Sequence, residues 1–290
     1  MAILDRLVKL DRRWIFLLMF LCVLVPILWG RTFPEITTPL VDRVFDAVEN
    51  LPDGSKVLMA LDYEPAAEGE LGPMSTAFTR HCIEKKHKMY FLTTWPLGTQ
   101  MIAAVIDREI KDGAPHLVYG EDYVNLGYKP GYEGVIKVIV TDLKQLYTTD
   151  HFGTSTSDIP MCKDIQSVQD MNIILNMSAG YAGTREWVQY ASTPFPETIT
   201  LASGCTGVQA PLFYPYLPKQ LIGLLGAIKG AAEYEVALAA KYPKWGRPEY
   251  TEALRRMAPQ LWGHLLVLAL IIAGNVLYFV ERRRRRGHRP

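Results

Sequence analysis

Two side chains in this 290-residue sequence could act as nucleophiles, Ser178 and Cys205. Each follows a short apolar run (Asn172 to Asn176, then Thr198 to Ala202) and has a glycine within two residues. A thiol in the setting Ser203-Gly204-Cys205-Thr206-Gly207, at the carboxyl end of a strand, has the geometry of a cysteine hydrolase. That chemistry needs a histidine within reach and a lowered thiol pKa. His81, His87, His116 and His151 carry no signature marking one of them as the base, and a buried cysteine at a tight turn is the plainer reading.

The segment Ser178-Ala179-Gly180-Tyr181-Ala182-Gly183-Thr184-Arg185 has the make-up of an anion loop. Gly180 and Gly183 let backbone N–H groups turn toward a ligand, Ser178 and Thr184 add hydroxyls, and Arg185 adds charge. It is neither a P-loop nor the full G-x-G-x-x-G fingerprint, and glycines also serve any tight turn between strand and helix. Asp62, Glu64, Glu68 and Glu70 offer oxygen ligands for a hard cation, with Asp62 and Glu64 the nearest pair, but Pro65 interrupts them and the spacing is no EF-hand. His81, Cys82 and His87 are not at a zinc spacing. The sequon Asn176-Met177-Ser178 falls at a buried strand end and is discounted as a glycosylation site. No metal or other cofactor is expected.

These residues need a scaffold whose strands end where they stand. Short apolar runs at Val57 to Leu61, Met89 to Leu92, Leu117 to Tyr119, Asn172 to Asn176 and Thr198 to Ala202 read as strands. Helical spacing appears over Ile36 to Asn50, Glu70 to Lys86, Leu97 to Lys111, Tyr132 to Tyr147, Thr184 to Ala191 and Pro218 to Ala240. This alternation predicts an α/β domain, Rossmann-like or flavodoxin-like, with a mostly parallel sheet of four to five strands and helices on both faces. Ligands in such sheets bind outside the carboxyl ends of the strands. The polar stretch Thr148 to Asp170 reads as a lid, a partner-binding loop or variable surface.

Charge sets the frame around that domain. Residues 14–30 and 261–280 carry no Asp, Glu, Lys or Arg. The ends, 1–13 and 281–290, hold ten Lys/Arg against three Asp/Glu, and the middle holds 21 against 27. The second apolar stretch has a full span's 20 residues and is followed by Arg282 to Arg286, a strong positive-inside signal. The first is shorter, bracketed by Trp14 and Trp29, and lacks a small-x-small cleavage pattern at its exit, which favours an uncleaved anchor over a signal peptide. The expected layout is a basic cytoplasmic tail (1–13), a first membrane helix (14–30), an extracytoplasmic α/β domain (31–260), a second membrane helix (261–280) and a polybasic cytoplasmic tail (281–290). The lipid bilayer is thus one partner. Nucleic acid is not expected, because the dense basic run adjoins a membrane segment. Cys82, Cys162 and Cys205 in the middle cannot all pair, so this is no disulfide scaffold.

Two surfaces suit helix packing. Gly223, Gly226 and Gly230 within the expected helix 218–240 include a G-x-x-x-G pair, which fits either a subunit contact or close packing on the domain's own sheet. In the second span, Gly263, Gly274 and Asn275 suit contact with another membrane helix, with His264 on nearly the same face as Asn275. The layout is similar to auxiliary proteins of some ABC-type export systems, which place an extracytoplasmic α/β domain between two anchors and end in a basic tail. The resemblance covers architecture and implies a role in a membrane complex. The function expected is therefore a non-catalytic, twice-anchored subunit that contacts other membrane protein subunits or a second copy of itself. The alternatives are a membrane-tethered hydrolase-like enzyme using Cys205 or Ser178, and a small-ligand or anion receptor built on residues 178–185.

Overall fold

The computed structural model describes residues 11–30 and 32–287. Of the two expected tails, residues 1–10 and 288–290 lie outside the described residues, as do Arg31 and the side chains of 284–287. The chain forms two units, one spanning Glu35–Leu254 and one made of the terminal segments.

The Glu35–Leu254 unit is built on one six-stranded parallel sheet. Its elements are α2 (Pro39–Glu49), β1 (Lys56–Asp62), α3 (Glu68–Glu84), β2 (Lys88–Thr93), α4 (Gly98–Val105), β3 (Tyr123–Tyr128), α5 (Glu133–Ile139), α6 (Leu143–Leu146), β4 (Ile173–Ser178), α7 (Thr184–Trp187), β5 (Leu201–Cys205), α8 (Ala210–Phe213), β6 (Leu224–Gly226) and α9 (Ala227–Lys241). The strand order β3-β2-β1-β4-β5-β6 is that of a doubly wound, Rossmann-like sheet, with its switch point between β1 and β4. Val57 to Leu61 are all fully buried, as expected for a central strand covered on both faces. The registers Asp62↔Ser178 and Ser178↔Cys205 set these three residues side by side at the carboxyl edge.

The sheet has six strands where the sequence predicts four to five. The third strand lies at Tyr123–Tyr128, not at Leu117 to Tyr119, because Asn125 and Gly127 break its apolar run. The sixth, Leu224–Gly226, is too short to show a period and lies inside the segment expected to be helical. The expected helix 218–240 begins only at Ala227, so Gly223 and Gly226 stand outside it and no helical G-x-x-x-G face forms. The glycines serve the domain's own packing instead. A Cβ on Gly223 would lie 2.4 Å from the Leu40 carbonyl oxygen, and one on Gly230 would lie 2.7 Å from the Leu225 backbone. The expected helix 132–147 divides into α5 and α6, with Asp142 capping the second piece through the Gln145 N–H at 3.0 Å. The 148–170 stretch is not a free lid. Asp150 accepts from the Tyr119 hydroxyl at 2.6 Å and from the Phe152 and Thr154 N–H groups, and Ile159, Met161, Cys162 and Ile165 are buried in the core.

The terminal unit holds α1 (Arg12–Trp29) and the apolar part of α10, a helix that starts at Glu252 and runs to Gly287. Both helices are long enough to cross a membrane and contain an 18-residue stretch that is apolar enough, with mean hydropathies over those stretches of 1.9 and 2.1. Asp11 caps α1 by accepting from the Arg13 N–H at 2.9 Å, and Gly30 ends it in the left-handed conformation that glycine adopts without cost. Gly263 faces α1, its Cβ position 3.7 Å from Val23, whereas Gly274 has open space around it. The Asn275 amide donates to the Ile271 carbonyl of its own helix at 3.0 Å.

Candidate functional site

The carboxyl edge of the sheet carries a polar network closed from solvent. Asp62 ends β1 and is fully buried. Its Oδ1 accepts from the Thr94 N–H and hydroxyl, both at 2.7 Å, and its Oδ2 accepts from Asn176 Nδ2 at 2.7 Å and Trp187 Nε1 at 2.8 Å. Burial pushes the Asp62 pKa up to about 6, against the four donors that favour the ionised form. Thr184 continues the network: its N–H donates to Ser178 Oγ at 3.0 Å, and its hydroxyl donates to Asn176 Oδ1 at 2.9 Å while lying in hydrogen-bond contact with the Ser178 and Ser203 hydroxyls. All seven residues, Asp62, Thr94, Asn176, Ser178, Thr184, Trp187 and Ser203, have 0% exposure.

The loops fold over this network for local reasons. Glu186 accepts from the Gly183 N–H at 2.8 Å and ties down the start of α7. Gly183 must be glycine, since a Cβ there would lie 2.4 Å from the Gly180 carbonyl oxygen and 2.6 Å from Ser178 Cβ. From the loop after β2, Trp95 reaches across and donates its Nε1–H to the Ala182 carbonyl at 2.7 Å. A strand-to-helix turn without glycine, Tyr63-Glu64-Pro65-Ala66-Ala67, occupies the place where a dinucleotide fold keeps its glycine-rich turn.

The structure therefore divides the residues that the sequence points to. Asp62, Ser178 and Thr184 come together, but as members of the enclosed network. Cys205 is adjacent in register and fully buried; burial, with the Glu70 carboxylate adding to it, pushes its thiol up to about 12, opposite to what nucleophilic catalysis needs. His81, His87 and His151 are engaged elsewhere. His81 bonds Tyr234 and Glu49, His87 bonds the Val48 carbonyl, and His151 packs at Gly127. Glu64 stays apart from Asp62's network, Glu70 accepts from the Gly207 N–H at 2.9 Å, and no three His, Cys, Asp or Glu side chains converge as a metal set among the described residues. Thr94, Trp187 and Ser203 complete the network, and their signal in the sequence is weak: polar residues at the ends of strands or one turn into a helix.

Gly180 and Arg185 reach a different place, an open cleft of 330 Å³ beside the network. One wall is Gly180, Tyr181 and Arg185 from the loop after β4 and the start of α7. The other is Gln209, Leu212, Phe213 and Tyr216, from the turn after β5, from α8 and from the short helical turn Tyr214–Tyr216. The Tyr181 hydroxyl donates to Glu133, and its ring lies 5.8 Å from that of Tyr132. Leu212, which lines the cleft, and its chain neighbours Val208 and Tyr214 are 65%, 86% and 52% exposed. No protein-family model matches the chain, and no curated protein or solved structure is significantly similar to it.

Proposed function

We propose that this chain is a non-catalytic, twice-anchored subunit of a membrane assembly, with its α/β domain outside the cytoplasm, both ends inside, and protein contacts made by the domain. The observation that carries the non-catalytic reading is the fate of the two nucleophile candidates. Ser178 is held inside a satisfied hydrogen-bond network and Cys205 is a fully buried thiol with a raised pKa. A reacting group needs access and a base in reach, and each of these side chains lacks solvent contact. The membrane half of the proposal is supported by the two long apolar helices and by the arginine run 282–286, since carrying such a run across hydrocarbon costs roughly 2.5–3.5 kcal/mol per residue on insertion scales. The contact half is supported by Val208, Leu212 and Tyr214, large apolar side chains left in solvent on α8 and its flanks.

The test is purification from native membranes in mild detergent after brief chemical crosslinking. A discrete larger species, either a second copy or a stoichiometric second protein, is expected. Recovery of a monomer alone, with and without crosslinker, overturns the proposal.

A further inference from the structure

We propose that the cleft between the loop after β4 and the turn after β5 binds the chemistry of an N-acylated amino acid: a carboxylate, the neighbouring amide N–H, and an apolar or aromatic side chain. These are the groups of the last residue of a polypeptide, and equally of a free N-acyl amino acid. The site stands independently of the assembly proposed above, because its walls come from this chain alone.

Three features of the walls select this chemistry. The first is Gln209, which lines the cleft and whose Oε1 is buried without a hydrogen-bond partner among the described residues. A buried acceptor left unsatisfied costs about 1–3 kcal/mol, so rotation of the Gln209 amide toward a ligand that brings an N–H donor recovers it. The second is Arg185, exposed at the opposite wall and without an ion pair among the described residues. Its planar fork matches a carboxylate. Glu186 also lines the cleft, buried and accepting from the Gly183 N–H, and its charge disfavours a phosphate dianion. The third is the apolar surface of Tyr181, Phe213 and Tyr216, against which a side chain can pack. Volume sets the size. At 330 Å³ the cleft is at the small end of the roughly 300–1,000 Å³ range of ligand sites, room for one residue and not for a dinucleotide. Its place at the carboxyl edge is where parallel sheets bind ligands.

The experiment uses the full chain in detergent micelles and N-acetyl-para-fluoro-L-phenylalanine as the probe, read by fluorine NMR line broadening. Saturable broadening, displaced by unlabelled N-acetyl-L-phenylalanine, is expected. Arg185→Gln should weaken binding by about tenfold or more, as should Gln209→Leu and replacement of the probe's carboxylate by a primary amide. The Arg185 side chain is exposed, so a thermal melt matching the parent protein confirms that Arg185→Gln has kept the fold. Broadening that does not saturate, that is equal in empty micelles, or that survives both substitutions overturns the site. So does equal binding of the primary amide. A pentapeptide ending in free phenylalanine separates the two sources: binding about tenfold tighter than the single residue points to a polypeptide end, and equal binding to a small molecule, either of which upholds the shared chemistry.

Discussion

Trp187 donates its indole N–H to the Asp62 carboxylate at 2.8 Å, across the carboxyl edge of the sheet and 125 residues along the chain, and neither side chain has any solvent exposure. The bond couples the end of β1 to the first turn of α7. It helps explain why this edge is closed: the carboxylate that would be the natural polar contact for a ligand already accepts four hydrogen bonds from the protein.

Trp187→Phe removes one of those donors and leaves a small void. We expect a loss of about 3 kcal/mol, from an unsatisfied buried acceptor together with lost packing. The Asp62 pKa, already raised by burial, should rise further, since a donor to the ionised form is gone. Thermal unfolding followed by circular dichroism checks the first effect, and a carboxyl carbon NMR titration checks the second. An unchanged melt would show that the bond contributes nothing.

The pH dependence of stability should carry two opposed contributions. His81 stacks on Phe45, accepts from the Tyr234 hydroxyl at Nδ1 (2.6 Å) and donates from Nε2 to Glu49 (2.9 Å), an arrangement that fits the neutral ring. Burial lowers its pKa to about 4 despite the Glu49 carboxylate. The unfolded ring binds its proton first, at about 6.5, so this group's contribution to stability rises with pH between about 4 and 6.5. Burial raises Asp62 to about 6 and Glu235 to about 7, so their contributions fall as pH rises through about 4 to 7. His81→Gln, which keeps a donor and an acceptor, removes the first contribution and leaves those of Asp62 and Glu235, while Glu49 loses one of the partners that hold its pKa down. Relative to the parent protein, it should be about 3 kcal/mol better off near pH 4 than near pH 7.5, measured as melting curves across that range.

Gly183→Ala and Gly180→Ala should differ. The first puts a methyl 2.4 Å from a backbone oxygen and 2.6 Å from Ser178 Cβ, neither of which can move without opening the network. A loss of about 3 kcal/mol is expected. The second meets the edge of the Trp95 ring at 3.2 Å, and a small ring shift should hold the loss to about 1 kcal/mol. Equal effects would mean that the turn is not the constraint described.

The native cysteines of the domain should be silent to thiol reagents. Cys82, Cys162 and Cys205 are buried, and burial pushes Cys162 up to about 11 and Cys205 up to about 12. Adding Ser157→Cys at an exposed position then gives a clean reporter of topology. With the domain outside the cytoplasm, a membrane-impermeant maleimide should label Ser157→Cys in intact cells above the unmodified protein. Labelling only after lysis would place the domain in the cytoplasm.

What composition can encode was legible in the sequence. The apolar stretches 14–30 and 261–280 declared themselves as long apolar helices because length and hydropathy are read directly from local sequence. The runs Val57 to Leu61 and Met89 to Leu92 declared central strands because a strand covered on both faces is apolar throughout. The edge strand Leu224–Gly226 did not, because three residues carry no period and the glycines around it mimic a helix-packing pattern. The strand ends located the carboxyl edge closely at β1, β2 and β4 but not at β3, yet whether Ser178 and Cys205 were reactive or enclosed depended on partners far away in the chain. Asp62, Trp187 and Trp95 close that edge only once β1 lies between β2 and β4. Local sequence sets hydrophobicity and backbone freedom. Exposure and hydrogen-bond partnership belong to the tertiary arrangement, because they arise between residues that only the strand order brings together.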